Sequence, residues 1–164
     1  MTDTQNTDTG AAKVAELIAG ERFAMLTTTA PDGTLMSRPM ALQENETDGD
    51  LWFFADRGSR KVEHLTVNRD VNVTVSSGDN WVSLTGTAEV VNDDDRKRDL
   101  WNPGVEAWFP DGPDADHIVL IRVEGDSAEY WDTPGGRVST LLSFAKAKAT
   151  GKPYTSGDNE KVEL

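Results

Sequence analysis

The chain has 164 residues, no cysteine and a formal net charge of −13. That length supports one domain with a real hydrophobic core, and the missing thiols exclude disulfides, thiolate nucleophiles and cysteine-ligated metals. The acidic balance opposes nucleic acid and anionic membranes, so neither is expected as a partner.

Only two histidines are present, His64 and His117, so no histidine-rich metal site is expected. There is no apolar run long enough for a membrane span. The first residues are polar and carry Asp rather than Lys or Arg, unlike a signal peptide. A cytoplasmic location is the expectation.

Residues 1–10 are polar without an apolar period and are expected to be disordered. Val14, Leu17 and Ile18 then recur at helical spacing, and Gly20 stops the run. Phe23 to Thr29 reads as a strand. Ala30-Pro31-Asp32-Gly33 is a turn signal, and Leu35 to Gln43 returns as the second arm of a hairpin. Alternation puts Met36, Arg38, Met40 and Leu42 on one face. Arg38 thus shares a face with apolar side chains and needs a partner, either a structural carboxylate or a bound anion.

Leu51-Trp52-Phe53-Phe54-Ala55 is a continuous apolar run, the pattern of a strand buried on both faces. It breaks at Asp56-Arg57-Gly58, and Ser59-Arg60-Lys61 opens a short helix ending near Asn68. A hydroxyl, two cations and the free N–H groups of a helix start suit an anion. The same triplet also fits a solvated turn with ordinary surface cations.

Val71 to Ser76 and Trp81 to Val91 form a further hairpin. Gly86 in mid-strand marks a bulge or the close approach of another backbone. Asn92 or Asp93 caps a helix running through Trp101, with Asp93, Asp94 and Asp95 in its positive first turn. That triple Asp lacks the spacing of a calcium loop. Trp108 lies in an aromatic, turn-rich segment. His117 to Val123 and Ser127 to Asp132 read as two last strands, and Val138 to Ala149 as a helix. The expected organisation is a domain over 11–150 followed by a flexible tail over 151–164. Six or seven strands on short links, with helices at the periphery, fit a mainly β antiparallel barrel of the α+β kind rather than a doubly wound sheet.

Phe53 to Lys61, FFADRGSRK, resembles the flavin-phosphate segment of the pyridoxamine 5′-phosphate oxidase-like, FMN-binding split-barrel superfamily. Ser37-Arg38-Pro39-Met40 is similar to the strand whose arginine binds the flavin phosphate. Ser-Arg-Pro-Met, the Leu100-Trp101 pair, Ala107-Trp108-Phe109-Pro110 and Glu129-Tyr130-Trp131-Asp132 resemble the general stress protein 26 branch. The resemblance implies a homodimer of six-stranded split barrels with FMN between subunits. It gives Arg38, Ser59, Arg60 and Lys61 to the phosphate. It puts Met40, Phe54 and Ala55 along the ribityl chain and ring, and brings Trp131 and Trp108 from the partner to the flavin edge.

The departures from the oxidases are specific. Gln43 stands where they carry a lysine, Trp81 where they carry a flavin-contacting glutamine, and Arg137-Val138-Ser139-Thr140-Leu141 where they bind vitamin substrate. Vitamin B6 oxidation is therefore not expected. No residue stands out as a dedicated catalytic acid or base. The chain is expected to be a flavin-dependent oxidoreductase, or alternatively a flavin carrier or sensor without turnover. FAD, the deazaflavin F420, haem or an empty groove in a structural dimer are variants on the same fold.

Overall fold

The computed structural model describes residues 3–43, 49–78, 80–132 and 158–164, and the side chains of all of these except 3–9 and 158. The order is α1 (Asp3–Ile18), β1 (Phe23–Thr29), β2 (Leu35–Ala41), β3 (Leu51–Asp56), α2 (Arg60–Val67), β4 (Asp70–Ser77), β5 (Asn80–Val91), α3 (Asp94–Leu100), α4 (Pro103–Trp108), β6 (Ile118–Asp132) and β7 (Asp158–Glu163). The expected helix at 138–149 and Arg137 lie outside the described residues.

All strand pairs are antiparallel, along the path β2-β1-β4-β5-β6-β3. Among the described residues, the two ends of that path are joined in the ladder by a single bridge between Gln43 and Trp52. The sheet therefore curls into a barrel that is nearly open along one seam, which is the split barrel expected from the motifs.

Period-2 alternation fills it. Ala24, Leu26 and Thr28 of β1 are buried, as are Val71, Val73 and Val75 of β4, and Val82, Leu84 and Ala88 of β5. Phe53 and Ala55 of β3 join the same core, while Trp52 and Phe54 belong to a second core with Leu100, Val105, Ile118 and Leu120. The helices α3 and α4 thus cover the outer face of β3, which explains its unbroken apolar run. Each fully buried aliphatic side chain of this kind contributes roughly 1.5–3 kcal/mol.

Four expectations need correction. The segment 118–132 is one strand, not two. Its inward residues change phase, from Val119, Ile121 and Val123 to Ala128 and Tyr130. A register shift opposite Thr85 and Gly86 absorbs the change, so both halves face the core. Gly86 is required there, because a β-carbon would fall on the Glu124 carbonyl oxygen.

A second helix, α4, follows the first at Pro103. The Asn102 side chain accepts hydrogen bonds from the N–H groups of Gly104 and Val105, with proline next to the cap.

The last two corrections have one cause. Residues 3–10, expected to be disordered, belong to α1, and residues 158–163, expected in a loose tail, form β7 on β6. Gly10 packs directly on the buried Val162, so each segment covers the other. Neither has enough apolar residues to reveal this alone.

Candidate functional site: an unpaired cation cluster

The site starts with a turn. The Asp56 carboxylate accepts from the Gly58 N–H at 2.7 Å, and the Asp56 carbonyl accepts from the Ser59 N–H at 3.0 Å. This Asp-x-Gly arrangement ends β3 and sets the start of α2. The first intrahelical bonds run from the Val62 and Glu63 N–H groups to the Ser59 carbonyl. The N–H groups of Arg60 and Lys61 precede them and make no such bond. Ser59 is the N-cap by position, yet its side chain makes no capping bond. Its hydroxyl oxygen is buried and has no hydrogen-bond partner among the described residues. Buried hydroxyls are rarely left this way.

Arg38 approaches from β2. It is opposite Leu26 in the ladder, and one of its terminal nitrogens donates to the Leu26 carbonyl at 3.2 Å and to the Thr28 hydroxyl at 2.7 Å. Burial first, and then the neighbouring Arg60, push the Arg38 guanidinium below its ordinary value. Lys61 is pushed down by burial and by Arg38, with Asp56 partly opposing. The three cations therefore feel one another.

Several other cations are paired with carboxylates. Lys97 pairs with Asp94 at 2.8 Å, Arg98 with Asp114 at 2.7 Å and Arg122 with Glu89 at 3.0 Å. Among the described residues, no carboxylate comes within 4.0 Å of Arg38, Arg60 or Lys61. Three cations and a hydroxyl without an anion make a donor set suited to a phosphate.

The other expected site residues are dispersed. Met40 and Ala55 are buried in the barrel core. Phe54 faces the opposite side of β3, its ring edge-on to Trp101 at 5.4 Å between centroids. Trp131 lies beside Trp81 on the β5–β6 ladder, both partly exposed, and Trp108 ends α4 with 74% of its surface exposed. Within one chain neither Trp108 nor Trp131 joins the cations through a hydrogen bond, ion pair or ring contact among the described residues. Gln43 is also elsewhere: it is buried, and its amide oxygen accepts from the Asn102 amide at 2.8 Å. Two residues that the sequence reading passed over do belong here. Thr28 touches Arg38, and its oxygen lies 2.9 Å from Nδ1 of the buried His64 on α2. Alternation with Ala24 and Leu26 was the available signal for Thr28.

A cavity of about 810 Å³ lies between α1 and the barrel, lined by residues such as Ala15, Ile18, Leu42, Leu84 and Leu164. It contains none of the cations, so its chemistry is separate.

The sequence pattern of the pyridoxamine 5′-phosphate oxidase-like family matches residues 9–155. The chain belongs to the pyridoxamine 5′-phosphate oxidase-like family. Among relatives of this family member is protein bli-3 of Neurospora crassa, 32% identical over 154 residues, covering 87% of this chain and 74% of that protein. A crystal structure described as a general stress protein 26, from Jannaschia sp. CCS1, superposes with a TM-score of 0.78 at 22% identity, over 96% of this chain and 99% of that one. The general stress FMN/FAD binding protein of Xanthomonas citri superposes with a TM-score of 0.65 at 28% identity, over 78% of this chain and 89% of that one. Structural neighbours of this pyridoxamine 5′-phosphate oxidase-like chain thus include proteins described as general stress protein 26, and they share its fold. No helix among the described residues is long and apolar enough to cross a membrane.

Proposed function

We propose that this chain is a flavin-binding split-barrel homodimer of the general stress protein 26 type and works as an FMN-dependent oxidoreductase. The observation that carries the reading is the buried Ser59 hydroxyl without a partner, beside three cations without a carboxylate. The donor set fits the phosphate monoester of FMN. Arg38, Ser59, Arg60 and Lys61 hold that phosphate. Met40, Phe54 and Ala55 stand along the ribityl chain and ring, Phe54 through its backbone because its ring is engaged by Trp101. Trp108 and Trp131 of the partner subunit border the flavin edge. The named flavin binding of the Xanthomonas citri relative supports the same ligand. Bound flavin would supply the electron or hydride chemistry, while the protein supplies position and charge.

The exposed Trp108, Trp81, Trp131, Leu35 and Phe23 support a homodimer, because such side chains are enriched where protein meets protein. Sedimentation of a single species at monomer mass, with and without FMN, would remove that part of the reading.

Titration of the purified protein with FMN, followed by quenching of flavin fluorescence, tests the site directly. FMN should bind and phosphate-free lumiflavin should bind far more weakly. Arg38→Ala should lose roughly 1.5–3 kcal/mol of FMN affinity, about 10- to 150-fold, as expected for a hydrogen bond to a charged group. Equal binding of FMN by wild type and Arg38→Ala would reject the phosphate assignment.

A carrier or sensor without turnover is the second reading. It is motivated by Arg137-Val138-Ser139-Thr140-Leu141, which stand where the oxidases bind their vitamin substrate. Stopped-flow reduction of the bound flavin by NADH or NADPH separates the two; turnover with either excludes the pure carrier. Native mass spectrometry of the gently purified protein distinguishes FMN from FAD and F420.

A further inference from the structure

Thr28 is a hydroxyl at an inward position where its strand neighbours, Ala24 and Leu26, are apolar. It is 1% exposed. Burying it there is unfavourable unless its oxygen is bonded, and it is bonded twice. It accepts from Arg38 at 2.7 Å and sits 2.9 Å from His64 Nδ1. The hydroxyl has room for both, donating to a bare Nδ1 or accepting from a protonated one.

The chain Arg38–Thr28–His64 therefore runs from β2 through β1 into α2. That helix carries Ser59, Arg60 and Lys61 at its start. Arg38 at the near end of the relay and Arg60 and Lys61 at the start of that helix lower one another's proton affinity, Arg60 acting on Arg38 and Arg38 on Lys61. Repulsion would drive β2 and the start of α2 apart, and the buried relay joins them. It also engages only one terminal nitrogen of Arg38. Among the described residues, the other guanidinium nitrogens make no hydrogen bond and remain available to an anion.

We propose that Thr28 and His64 are positioning residues for the phosphate arm of the ligand. They fix Arg38 against α2, through His64 of its last turn, before the ligand arrives, and so set how strongly the protein prefers a phosphorylated flavin to riboflavin. The gain is preorganisation rather than a new contact. This inference rests on the reading of Arg38 and Lys61 as phosphate ligands.

The test is the ratio of riboflavin to FMN dissociation constants, measured by flavin fluorescence on the full chain. Thr28→Val keeps the shape and removes the hydroxyl; His64→Leu removes the ring nitrogen. Each should reduce the ratio about five- to ten-fold, the scale of one lost hydrogen bond, while riboflavin affinity stays within about two-fold. Thr28→Ser and His64→Asn, which keep a polar atom near the same place, should restore most of the ratio. A wild-type ratio in Thr28→Val or His64→Leu would overturn the proposal. So would equal loss of both ligands, which marks a role confined to stability. A wild-type protein with a ratio near one would instead overturn the phosphate site itself. Should neither variant fold, ¹⁵N shifts of the His64 ring in the ligand-free wild type serve: they should show a hydrogen-bonded Nδ1, and an Nδ1 without a hydrogen bond would refute the relay.

Discussion

The Gln43 amide oxygen accepts a 2.8 Å hydrogen bond from the Asn102 amide, tying the end of β2 to the cap of α4. The Gln43 amide nitrogen donates to the Ala41 carbonyl at 3.1 Å, and the Gln43 backbone bridges to Trp52. Gln43 therefore closes the barrel seam.

Gln43→Lys should accordingly be harmful. It restores the residue type of the related oxidases, but puts a cation at a buried position and removes the Gln43 bonds to Asn102 and Ala41. Unfolding in urea should show a loss on the order of 2–4 kcal/mol, the range for an unpaired charge in a core. No vitamin B6 oxidase activity should appear.

Ser59→Ala should separate stability from binding. The buried hydroxyl has no partner to lose, so the thermal midpoint without ligand should be equal to or above wild type. FMN affinity should fall at least several-fold. A lower midpoint with unchanged FMN affinity would assign the hydroxyl to folding instead.

Lys61 gives a pH signature. Its proton affinity is lowered in the folded state, by burial and then by Arg38. In the window just below the ordinary lysine range, the unfolded chain holds more protons at this position. Stability without ligand should therefore rise with pH there, and the penalty should be complete at lower pH. Denaturation from pH ~8 to ~10, compared with Lys61→Met, isolates this contribution; the rise should be absent from the variant. Bound FMN should cancel it, because an anion favours the charged lysine.

The two bulge glycines should respond differently to alanine. At Gly86 the new methyl meets the Glu124 backbone, which is held in the ladder. The cost should reach about 2 kcal/mol or more by chemical denaturation, at the upper end for overpacking. At Gly125 the nearest atoms are the Leu164 and Leu84 side-chain methyls, which can turn aside. Gly125→Ala should cost clearly less.

The legibility of the chain followed its apolar pattern. β1 and β3 were readable because alternation and an unbroken apolar run are direct consequences of burial on one or two faces. The break assigned at Glu124-Gly125-Asp126 failed because a bulge lets a strand change phase without ending. β7 was hidden because Val162 is its one buried side chain and the strand is otherwise polar and charged. Of the proposed phosphate site, Arg38 was visible as a cation on an apolar face, and Ser59 to Lys61 as a helix start. Thr28 and His64 were not, because their partnership crosses from strand to helix, and single-strand alternation says nothing of what lies above the sheet. Trp108 and Trp131 enter only through the proposed dimer, which one chain does not test.

The placement of β7 has a consequence for solubility. On one side of β6, residues 118–123 are taken by β3 and residues 127–132 by β7. Without β7, that second half would expose a run of unsatisfied backbone groups, ready to template another chain. β7 itself presents the outer edge, and it carries Asp158, Glu160, Lys161 and Glu163. Charges of this density on a rim strand discourage further strand addition. The protein thus ends its sheet on a segment poorly suited to polymerise, and a variant shortened before Asp158 should be prone to aggregate even if its flavin chemistry were intact.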